Sequence, residues 1–475
     1  MSQNSSSSGL IGRRQLLRQL GGLTAIGLFP RLVSALGAEA PAPGSYRALV
    51  CVFLFGGNDG NNLVVPTDAA GYASYLLARG NAVGTPGNGS LVLPAAGTTG
   101  GVLPLDGIPF GLHSSMPELQ GLWNSGNVSL LFNLGTLVRP LTVAQYQANG
   151  ANPAMVPESL FSHINQQQQM QITSLPGVQT TGWAGRMADQ IGSTGASVPV
   201  GVSAAGNTLF LAGASSTPIV VPQSGPLAYG GFNGTPAANA RLAALQSLFG
   251  SGSDSALVSS LGSVQADAIS VANLLSPVLS GTSALSSFFP SSNGALSPLS
   301  QQLLQVARLI QAASAGTIAA PSRQVFFVDL QGFDTHNNQL NRQAPLLAEL
   351  SSSLAGFMGA MTSLGLEDDV VAFTLSDFAR TLKPASGGGS DHAWGSHHLV
   401  VGGTGAVKSG TYGTFPELAL GGPADVSSEG RWLPGLSIDQ YGATLGRWLG
   451  LDSQQLAVAF PNLSNFPVAD LGFLA

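Results

Sequence analysis

Charged residues are scarce in this chain. Of its 475 residues only 8% are Asp, Glu, Lys or Arg, Lys383 and Lys408 are its two lysines, and the formal net charge is −6. Nucleic-acid affinity depends on neutralising phosphates with Lys and Arg, so this composition argues against a nucleic-acid partner. Outside an N-terminal segment described below, no apolar run approaches the ~20 residues that a membrane helix needs. We therefore expect no stable membrane span.

Cysteine is almost absent as well. The single Cys51 excludes an intramolecular disulfide, and its place in the apolar run 49–55 favours a buried strand residue over a reactive thiol. The chain also lacks a convincing Gly-x-Ser-x-Gly elbow, Walker loop or Rossmann fingerprint, which removes support for hydride chemistry with a nucleotide cofactor. What it does contain is 44% hydrophobic residues, 63 glycines and 29 prolines. These numbers suit a large core with many tight turns.

The first 37 residues are typical of a twin-arginine export signal. The motif GRRQLLR (12–18) is followed by a weakly apolar stretch (20–29) and by the small residues Ala35 and Gly37. The alternative, an ordinary amphipathic helix, fits this order of features less well. We predict cleavage after Gly37, the twin-arginine export machinery as a partner, and a periplasmic or extracellular protein.

Apolar runs alternate with helical patterns along the rest of the chain. The strand candidates are residues 47–55, 128–133, 324–330, 370–375 and 399–402. Leucine-rich patterns at helical spacing precede two of them, at 303–310 and 346–361. This alternation indicates an α/β fold with a mostly parallel central sheet flanked by helices. Short strand-like pieces and Ser/Ala/Leu-rich stretches suggest an insertion at about 195–320 within one domain spanning 41–475.

Polar motifs follow three of the predicted strands directly. They are Asn58-Asp59 after the first strand, Asp334-Thr335-His336 after 324–330, and Ser376-Asp377 after 370–375. The carboxyl ends of parallel strands meet at one edge of a sheet, so these motifs should converge on one crevice. Asp334 and His336 lie two residues apart, which places them on one face of an extended segment. Carboxylate oxygen with imidazole nitrogen suits zinc, manganese or iron better than calcium.

A glycine-rich segment downstream holds three of the six histidines, His392, His397 and His398. Adjacent histidines point apart, so one of the last two is expected to be a ligand and the other to support it. The predicted ligand set for one or two divalent ions, zinc or manganese, is Asp59, Asp334, His336, Asp377, His392, His397 and His398. Three simpler explanations stay open: an Asn/Asp/Gly turn at 58–62, a helix cap at Asp334, and an ion pair between Asp377 and Arg380.

A further polar motif, FSHINQ (161–166), contains another histidine. Ser162 is a candidate nucleophile for activation by a metal, and His163 a candidate ligand. A helix cap formed by Ser162 explains the same residues equally well. His113 is expected to be structural.

These motifs resemble a known bacterial family. In order along the chain, the motifs are FLFGGNDGNNLVVP, GTLVRPLT, LFSHINQQQQ, GFDTHNNQ, TLSDFARTLKP and GSDHAWGSHHLVVGG. As a set, they resemble the family called domain of unknown function 1501, from the signal to about Gly403. That family is similar to the alkaline-phosphatase-like superfamily, which includes sulfatases and metal-using phosphoglycerate mutases. The resemblance implies a sheet flanked by helices and two metals bridged by a nucleophilic Ser or Thr.

By position, the resemblance implies particular parts for individual residues. Asp59 matches the first-strand aspartate, and Asp334 with His336 resembles the Asp/His pair of one metal, at a closer spacing than usual. Asp377 falls where the superfamily has an Asp-His dipeptide, but Phe378 replaces that histidine. His397 or His398 resembles the late histidine. Ser162 lies where the nucleophile is expected, and a Glu is usual at position 377 in the 1501-type family.

Together these observations predict an exported metal-dependent hydrolase of phosphate or sulfate esters. Its substrate would be a small-molecule or polymer ester, with Ser162 or a bound water as nucleophile and Arg380 neutralising a nonbridging oxygen. The alternative is a non-catalytic envelope or polysaccharide-binding protein that keeps the fold and a metal. Phe378, in place of a ligand, favours that alternative.

Overall fold

The computed structural model describes residues 46–475 except 86–87, 151, 193–194, 229–234 and 251–254. The predicted export signal at 1–37 lies outside the described residues. Among the helices that are described, none combines the length and the apolar character needed to cross a membrane.

The strands of the described chain are β1 (Arg47–Phe55), β2 (Val64–Pro66), β3 (Leu103–Pro104), β4 (Phe110–Leu112), β5 (Val128–Gly135), β6 (Gly201–Ser203), β7 (Ile219–Val220), β8 (Ser291–Ser292), β9 (Ala295–Leu296), β10 (Arg323–Gln331), β11 (Val370–Ser376), β12 (Ser396–Val401), β13 (Gly410–Tyr412) and β14 (Leu436–Ser437). The central sheet has the order β13-β5-β12-β11-β1-β10-β6-β7, with β14 also paired to β5. Strands β2, β4 and β3 form a small second sheet, and β8 pairs with β9.

The α-helices of the described chain are α1 (Gly60–Leu63), α2 (Ala69–Ala78), α3 (Pro117–Asn124), α4 (Val143–Asn149), α5 (His163–Ile172), α6 (Trp183–Ile191), α7 (Pro236–Gly250), α8 (Ala256–Leu279), α9 (Pro298–Ser314), α10 (Gln339–Leu364), α11 (Ile438–Leu449) and α12 (Ser453–Ala459). Short 3₁₀ turns occur at Ala284–Phe288 and Leu463–Asn465.

The central sheet is mostly parallel, which confirms the predicted α/β class. Strand β1 pairs in parallel with both β10 and β11, and β6 and β7 continue in parallel beyond β10. Strand β12 runs antiparallel to β11 and to β5. It follows β11 through a loop without a crossover helix, and such a connection joins antiparallel neighbours.

Apolar side chains cover both faces of the sheet, as a continuous apolar strand predicts. Along β1, Val50 and Val52 point into a core with α9 and α10, whereas Cys51 and Phe53 point into a second core with α6, α11 and α12. Cys51 is a free buried thiol, and burial raises its pKa well above the ordinary value. The expected structural part of this cysteine fits that environment.

The predicted insertion at about 195–320 is connected closely to the sheet. Residues 201–203 and 219–220 add two strands at its β10 edge, whereas residues 209–211 form a bend and turn. Helices α7 and α8 contact each other, and α9 packs on α10. The helical character expected for the second half of this interval is therefore present in α8 and α9.

The ends of β1, β10 and β11 approach one another through two glycines. Gly56 has φ +113°, and a Cβ placed there would lie 2.3 Å from the backbone nitrogen of Asp334. Gly57 has φ +78°, and its Cβ would lie 2.4 Å from the Phe378 ring. A side chain at either position would push the polar loops after β10 and β11 away from β1.

We expect Gly56→Ala to destabilise the protein by about 2–5 kcal/mol, because it combines an unfavourable φ with overpacking against backbone. Gly107→Ala is the matched control, since Gly107 also has positive φ, +80°, but open space around its Cβ. The control should cost only about 1 kcal/mol. Urea unfolding of the two variants measures the difference, and equal losses would contradict the close-approach argument.

Candidate metal centre

Four side chains converge at the carboxyl-end edge of the sheet. They are His163, Asp334, His336 and His392, and each offers one ligand atom within 4.8 Å of the others. Asp334 and His336 follow β10, His163 is the first residue of α5, and His392 lies in the loop between β11 and β12. Three separate parts of the chain therefore supply the cluster.

The loop after β11 folds back on itself to deliver His392. Arg380 and His392 face each other as an antiparallel bridge, flanked by a hydrogen bond from the Ala393 N–H to the Ala379 carbonyl (2.8 Å). The glycine-rich part of the loop docks on the segment after β10. A Cβ on Gly389 would lie 2.0 Å from the carbonyl carbon of His336, so only glycine permits this contact.

Each histidine of the cluster has its Nδ1 atom engaged by an oxygen. His163 Nδ1 lies 2.8 Å from Asp377 Oδ2, His336 Nδ1 lies 3.3 Å from Asp391 Oδ1, and His392 Nδ1 lies 2.7 Å from the Phe161 carbonyl oxygen. With a metal bound at Nε2, these acceptors would hold the ring proton on Nδ1. The Nε2 atoms then carry lone pairs, as in histidines that bind metals.

The three Nε2 atoms surround one carboxylate oxygen. Asp334 Oδ1 lies 3.4 Å from His163 Nε2, 3.0 Å from His336 Nε2 and 3.9 Å from His392 Nε2. The Nε2 atoms of His336 and His392 are 3.0 Å apart. Two lone pairs at this distance repel unless a cation lies between or beside them. The donor set, three imidazoles and one carboxylate, therefore fits a divalent metal ion.

One side of the cluster is open to solvent. The side chains of Asp334 and His336 are 48% and 43% exposed. The Phe378 ring covers the opposite side, with its centroid 4.7 Å from the His163 ring and 4.6 Å from the His392 ring. Phe378 thus occupies the position of an expected ligand and provides an apolar wall for two histidines.

Asp377 supports the cluster from behind. Its carboxylate accepts hydrogen bonds from His163 Nδ1, from Gln167 Nε2 (2.7 Å) and from the Gly56 N–H (3.1 Å), and its side chain is fully buried. It was predicted as a ligand, but the structure places it behind His163. A carboxylate there orients the imidazole and raises the basicity of its other nitrogen.

Arg380 also differs from its predicted part. Its guanidinium is fully buried and donates to the carbonyl oxygens of Gly56, Gly57, Phe333 and Ser390 and to the Asp334 carboxylate. A side chain held in this way does not reach a substrate oxygen. It acts on Asp334 instead: burial raises the pKa of that carboxyl, but the Arg380 hydrogen bond and charge, with nearby histidines, bring it below its ordinary value.

Asp59 lies outside the cluster, in a buried polar network. Its carboxylate forms an ion pair with Arg79, accepts from Gln339 Nε2, and caps α1 through the Asn61 N–H (3.0 Å). Arg79 in turn donates to the carbonyl oxygens of Thr381 and Leu382. The ion pair therefore anchors the segment after β1 to the loop after β11.

His397 and His398 also lie outside the cluster, because β12 draws them into the sheet. His397 Nδ1 accepts from the Asn133 N–H (3.1 Å), and its ring stacks on Phe415 at 4.8 Å. His398 Nδ1 lies 3.4 Å from Thr374 Oγ1. Burial lowers the pKa of His397 to about 3 and that of His398 to about 4. Both are neutral core residues.

Ser162 precedes the candidate ligand His163 at the N-terminus of α5. Its hydroxyl accepts a hydrogen bond from Asn165 Nδ2 (3.0 Å) and makes no capping bond. Phe161 before it has φ +69°, an unusual conformation for a large residue, and this turn directs the Phe161 carbonyl at His392. Strained backbone of this kind concentrates at functional sites.

Two members of the site were not in the predicted ligand set. His163 is predicted as a candidate ligand beside Ser162, and Asp391 is the neighbour of the predicted ligand His392. The signal for His163 was present, because a polar island with a histidine is unusual in so uncharged a chain. No pattern in the sequence indicated that α5 would lie beside Asp377.

The fold and the cluster define an α/β protein with a candidate metal site. Residues 311–460 match the model of the family described as "Protein of unknown function (DUF1501)", the family that the sequence motifs resemble. Among curated proteins, none matches this chain.

Solved structures give distant matches. The lipoteichoic acid synthase LtaP from Listeria monocytogenes is 9% identical, with a TM-score of 0.33, and the match covers 88% of this chain and 76% of that one. Ps i-CgsB, alone and in complex with k-i-k-neocarrahexaose, is 9% and 11% identical, with TM-scores of 0.33 and 0.30. Both of these matches cover 89% of this chain and 77% of the other. Similarity at this level carries no argument about the chemistry of this chain.

Two aspartate-to-asparagine substitutions separate the cluster from the network beneath it. Asp334→Asn should lower affinity for zinc at least tenfold, because it removes the one carboxylate among the four ligand atoms. Asp59→Asn should leave that affinity within about twofold while destabilising the fold by about 3–5 kcal/mol, since it leaves Arg79 buried without its counter-charge. Zinc titration calorimetry and thermal unfolding measure both effects. Loss of zinc binding in Asp59→Asn would return Asp59 to the ligand set.

The buried histidines predict acid sensitivity of the fold. Burial lowers the pKa of His113, His397 and His398 to about 4, 3 and 4, from an ordinary value of 6.5. As the pH falls, these histidines therefore bind protons in the unfolded chain but stay neutral in the folded chain. Stability is fully present above about pH 6.5 and is lost as pH falls toward 4, by up to about 1.4 kcal/mol per pH unit for each histidine.

This acid sensitivity is measured by urea unfolding of the metal-free protein between pH 7 and pH 5. His398→Gln should reduce the slope of unfolding free energy against pH, whatever its effect on absolute stability. An unchanged slope would show that His398 is not neutral in the folded protein.

Proposed function

We propose that this protein is a metal-dependent hydrolase of phosphate or sulfate esters. The observation that carries the proposal is the set of three Nε2 atoms around Asp334 Oδ1, each histidine fixed through its Nδ1. Three histidines and a carboxylate within 4.8 Å suit one zinc ion, with manganese as the second choice. Its exposed side leaves room for a ligand from solution.

A divalent ion bound there would supply a Lewis acid for the ester and would lower the pKa of a bound water. The chain supplies the geometry around it. Asp377, Asp391 and the Phe161 carbonyl hold the three imidazoles in one tautomer. Arg380 holds Asp334 in its ionised form, and the Phe378 ring shields the cluster from water on one side.

Ser162 is our candidate for the attacking group, with a water molecule as the alternative. It is joined directly to the ligand His163, it is only partly buried, and its hydroxyl oxygen accepts a bond from Asn165. Accepting that bond leaves the Ser162 proton free to be removed.

Two further parts of the proposal concern location and partners. The twin-arginine motif at 12–18 supports export to the periplasm or outside the cell through the twin-arginine machinery, with cleavage after Gly37. We propose a small-molecule or polymer ester as the substrate. We expect the function to involve neither nucleic acid nor a stable membrane span.

A non-catalytic metal protein of the envelope, binding polysaccharide, is the second candidate. The observation that favours it is the state of Arg380, the cation expected to bind the ester, which is fully buried and engaged with backbone carbonyls. Under this candidate the metal would hold His163 of α5 to the loop carrying His392 and would have a structural part only.

The proposal is tested with zinc- and manganese-loaded protein on a panel of phosphate and sulfate monoesters and diesters. We expect turnover that is lost in His163→Ala, through loss of the metal, and reduced at least a hundredfold in Ser162→Ala with the metal retained. Ser74→Ala is the control, because Ser74 is exposed on α2 away from the cluster.

The outcomes separate the two candidates. Full metal content with no turnover on any ester, combined with binding to an acidic or neutral polysaccharide, would favour the non-catalytic protein. Turnover that survives Ser162→Ala would retain the hydrolase and assign the attack to water.

A further inference from the structure

We propose that Arg431 binds the tetrahedral oxyanion of the ester beside the metal centre, the part expected of Arg380. This inference rests on the proposed function and names its substrate-binding residue. Nothing in the sequence motifs singled out Arg431, which lies about forty positions after His392.

Arg431 is fixed against the metal centre at two points. Its Nε–H donates to the backbone carbonyl of the ligand His392 at 2.7 Å. Its guanidinium carbon lies 5.2 Å from the centroid of the Phe161 ring, a cation–π contact. Phe161 itself accepts from His392 Nδ1 and precedes Ser162. Arg431 therefore contacts both the candidate ligand residue His392 and the residue that precedes Ser162.

The outer end of the same guanidinium remains available. The Arg431 side chain is 24% exposed, whereas Arg380 is fully buried. Nη2 pairs with Glu429 Oε2 at 2.9 Å, and Glu429 is 41% exposed. Within the described residues, no hydrogen bond of Nη1 to the protein is present. An exposed ion pair of this kind is worth about 0–1 kcal/mol, so a substrate oxyanion displaces Glu429 at little cost.

The charges around the centre explain why such a cation is needed. Asp334, Asp391 and Glu429 are all about half exposed on this part of the surface and would repel an anionic ester. The N–H groups of Arg380 already donate hydrogen bonds to backbone carbonyls and to Asp334. Guanidinium groups bind the oxygens of phosphate and sulfate in a bidentate manner, which suits the outward Nη atoms of Arg431.

Tyr146 lies near Arg431. Its ring is 5.4 Å from Trp394, two residues after His392. Partial burial raises the pKa of this phenol, and the nearby Arg431 charge opposes the rise.

The test uses the zinc-loaded full-length protein and titration calorimetry with inorganic phosphate and with sulfate at fixed ionic strength. Arg431→Gln should weaken anion binding about tenfold or more, since it removes a charged hydrogen-bond partner. Glu429→Gln should tighten binding severalfold, because it releases Nη2. Arg447→Gln is the matched control, since Arg447 forms a comparable exposed pair with Asp470 (3.4 Å), and it should leave binding unchanged.

A purely structural part for Arg431 predicts a different pattern. It predicts that Glu429→Gln leaves anion affinity unchanged, and that Arg431→Gln lowers zinc content without changing anion affinity per zinc-loaded chain. Either result would overturn the proposal, as would zinc-loaded wild-type protein that binds neither anion. The phosphate and sulfate arms, compared, distinguish a phosphate-ester from a sulfate-ester substrate.

The hydrolysis assay separates this inference from the proposed function. If esters are cleaved, Arg431→Gln should raise KM at least tenfold with a smaller change in kcat. Cleavage with an unchanged KM would overturn the part given to Arg431 and leave the hydrolase intact. Anion binding that depends on Arg431 without cleavage of any ester would refute the hydrolase and retain the oxyanion site.

Discussion

The candidate site depends on one buried cation. The Arg380 guanidinium gathers the backbone carbonyls that follow β1 and β10, and one from the glycine-rich loop, around a single side chain. A buried guanidinium is energetically costly unless its N–H groups donate hydrogen bonds. The hydrogen bonds that Arg380 donates therefore hold these carbonyl groups in place. The Asp334 carboxylate completes the shell and is thereby aimed at the three histidines. The fold therefore positions the candidate metal centre through hydrogen bonds to the main chain, and not through a separate contact to each candidate ligand.

Tertiary packing places residues that look alike in the sequence in different environments. Asp59 and Asp334 both follow buried strands. Asp59 forms a buried ion pair with Arg79, whereas the side chain of Asp334 is exposed to solvent. His392 and His397 are five residues apart, but one lies in a folded-back loop and the other inside β12. The antiparallel course of β12 decides this difference, because it returns the chain into the sheet immediately after the loop. The side chains of the cluster therefore come from loops and from the start of α5, while the histidines within β12 pack in the core.

The strands, the parallel class and the convergence of the motifs after β10 and β11 were predictable, because continuous apolar runs and strand-end polar residues have direct physical meanings. Asp334, His336 and His392 followed from that logic. The structure does not bring Asp59, His397 and His398 into the cluster, since burial and pairing depend on neighbours that are distant in sequence. His163 lies outside the predicted ligand set, and no motif singles out Arg431, for the same reason: α5 and the 429–431 segment reach the cluster only through tertiary packing, which no local period records.

The pairing of the sheet also has a consequence for how the chain acquires its structure. Arg47 pairs with Arg323, and Ala48 with Val370, so the central strand has no neighbour until most of the chain is available. Contacts this distant along the chain carry a large loop-closure entropy and are associated with slow folding. Strand β1 therefore stays unpaired, with its apolar side chains exposed, while some three hundred further residues are synthesised. Such a chain has a long interval in which it is vulnerable to aggregation, and chaperone protection of the nascent N-terminal third is the expected requirement.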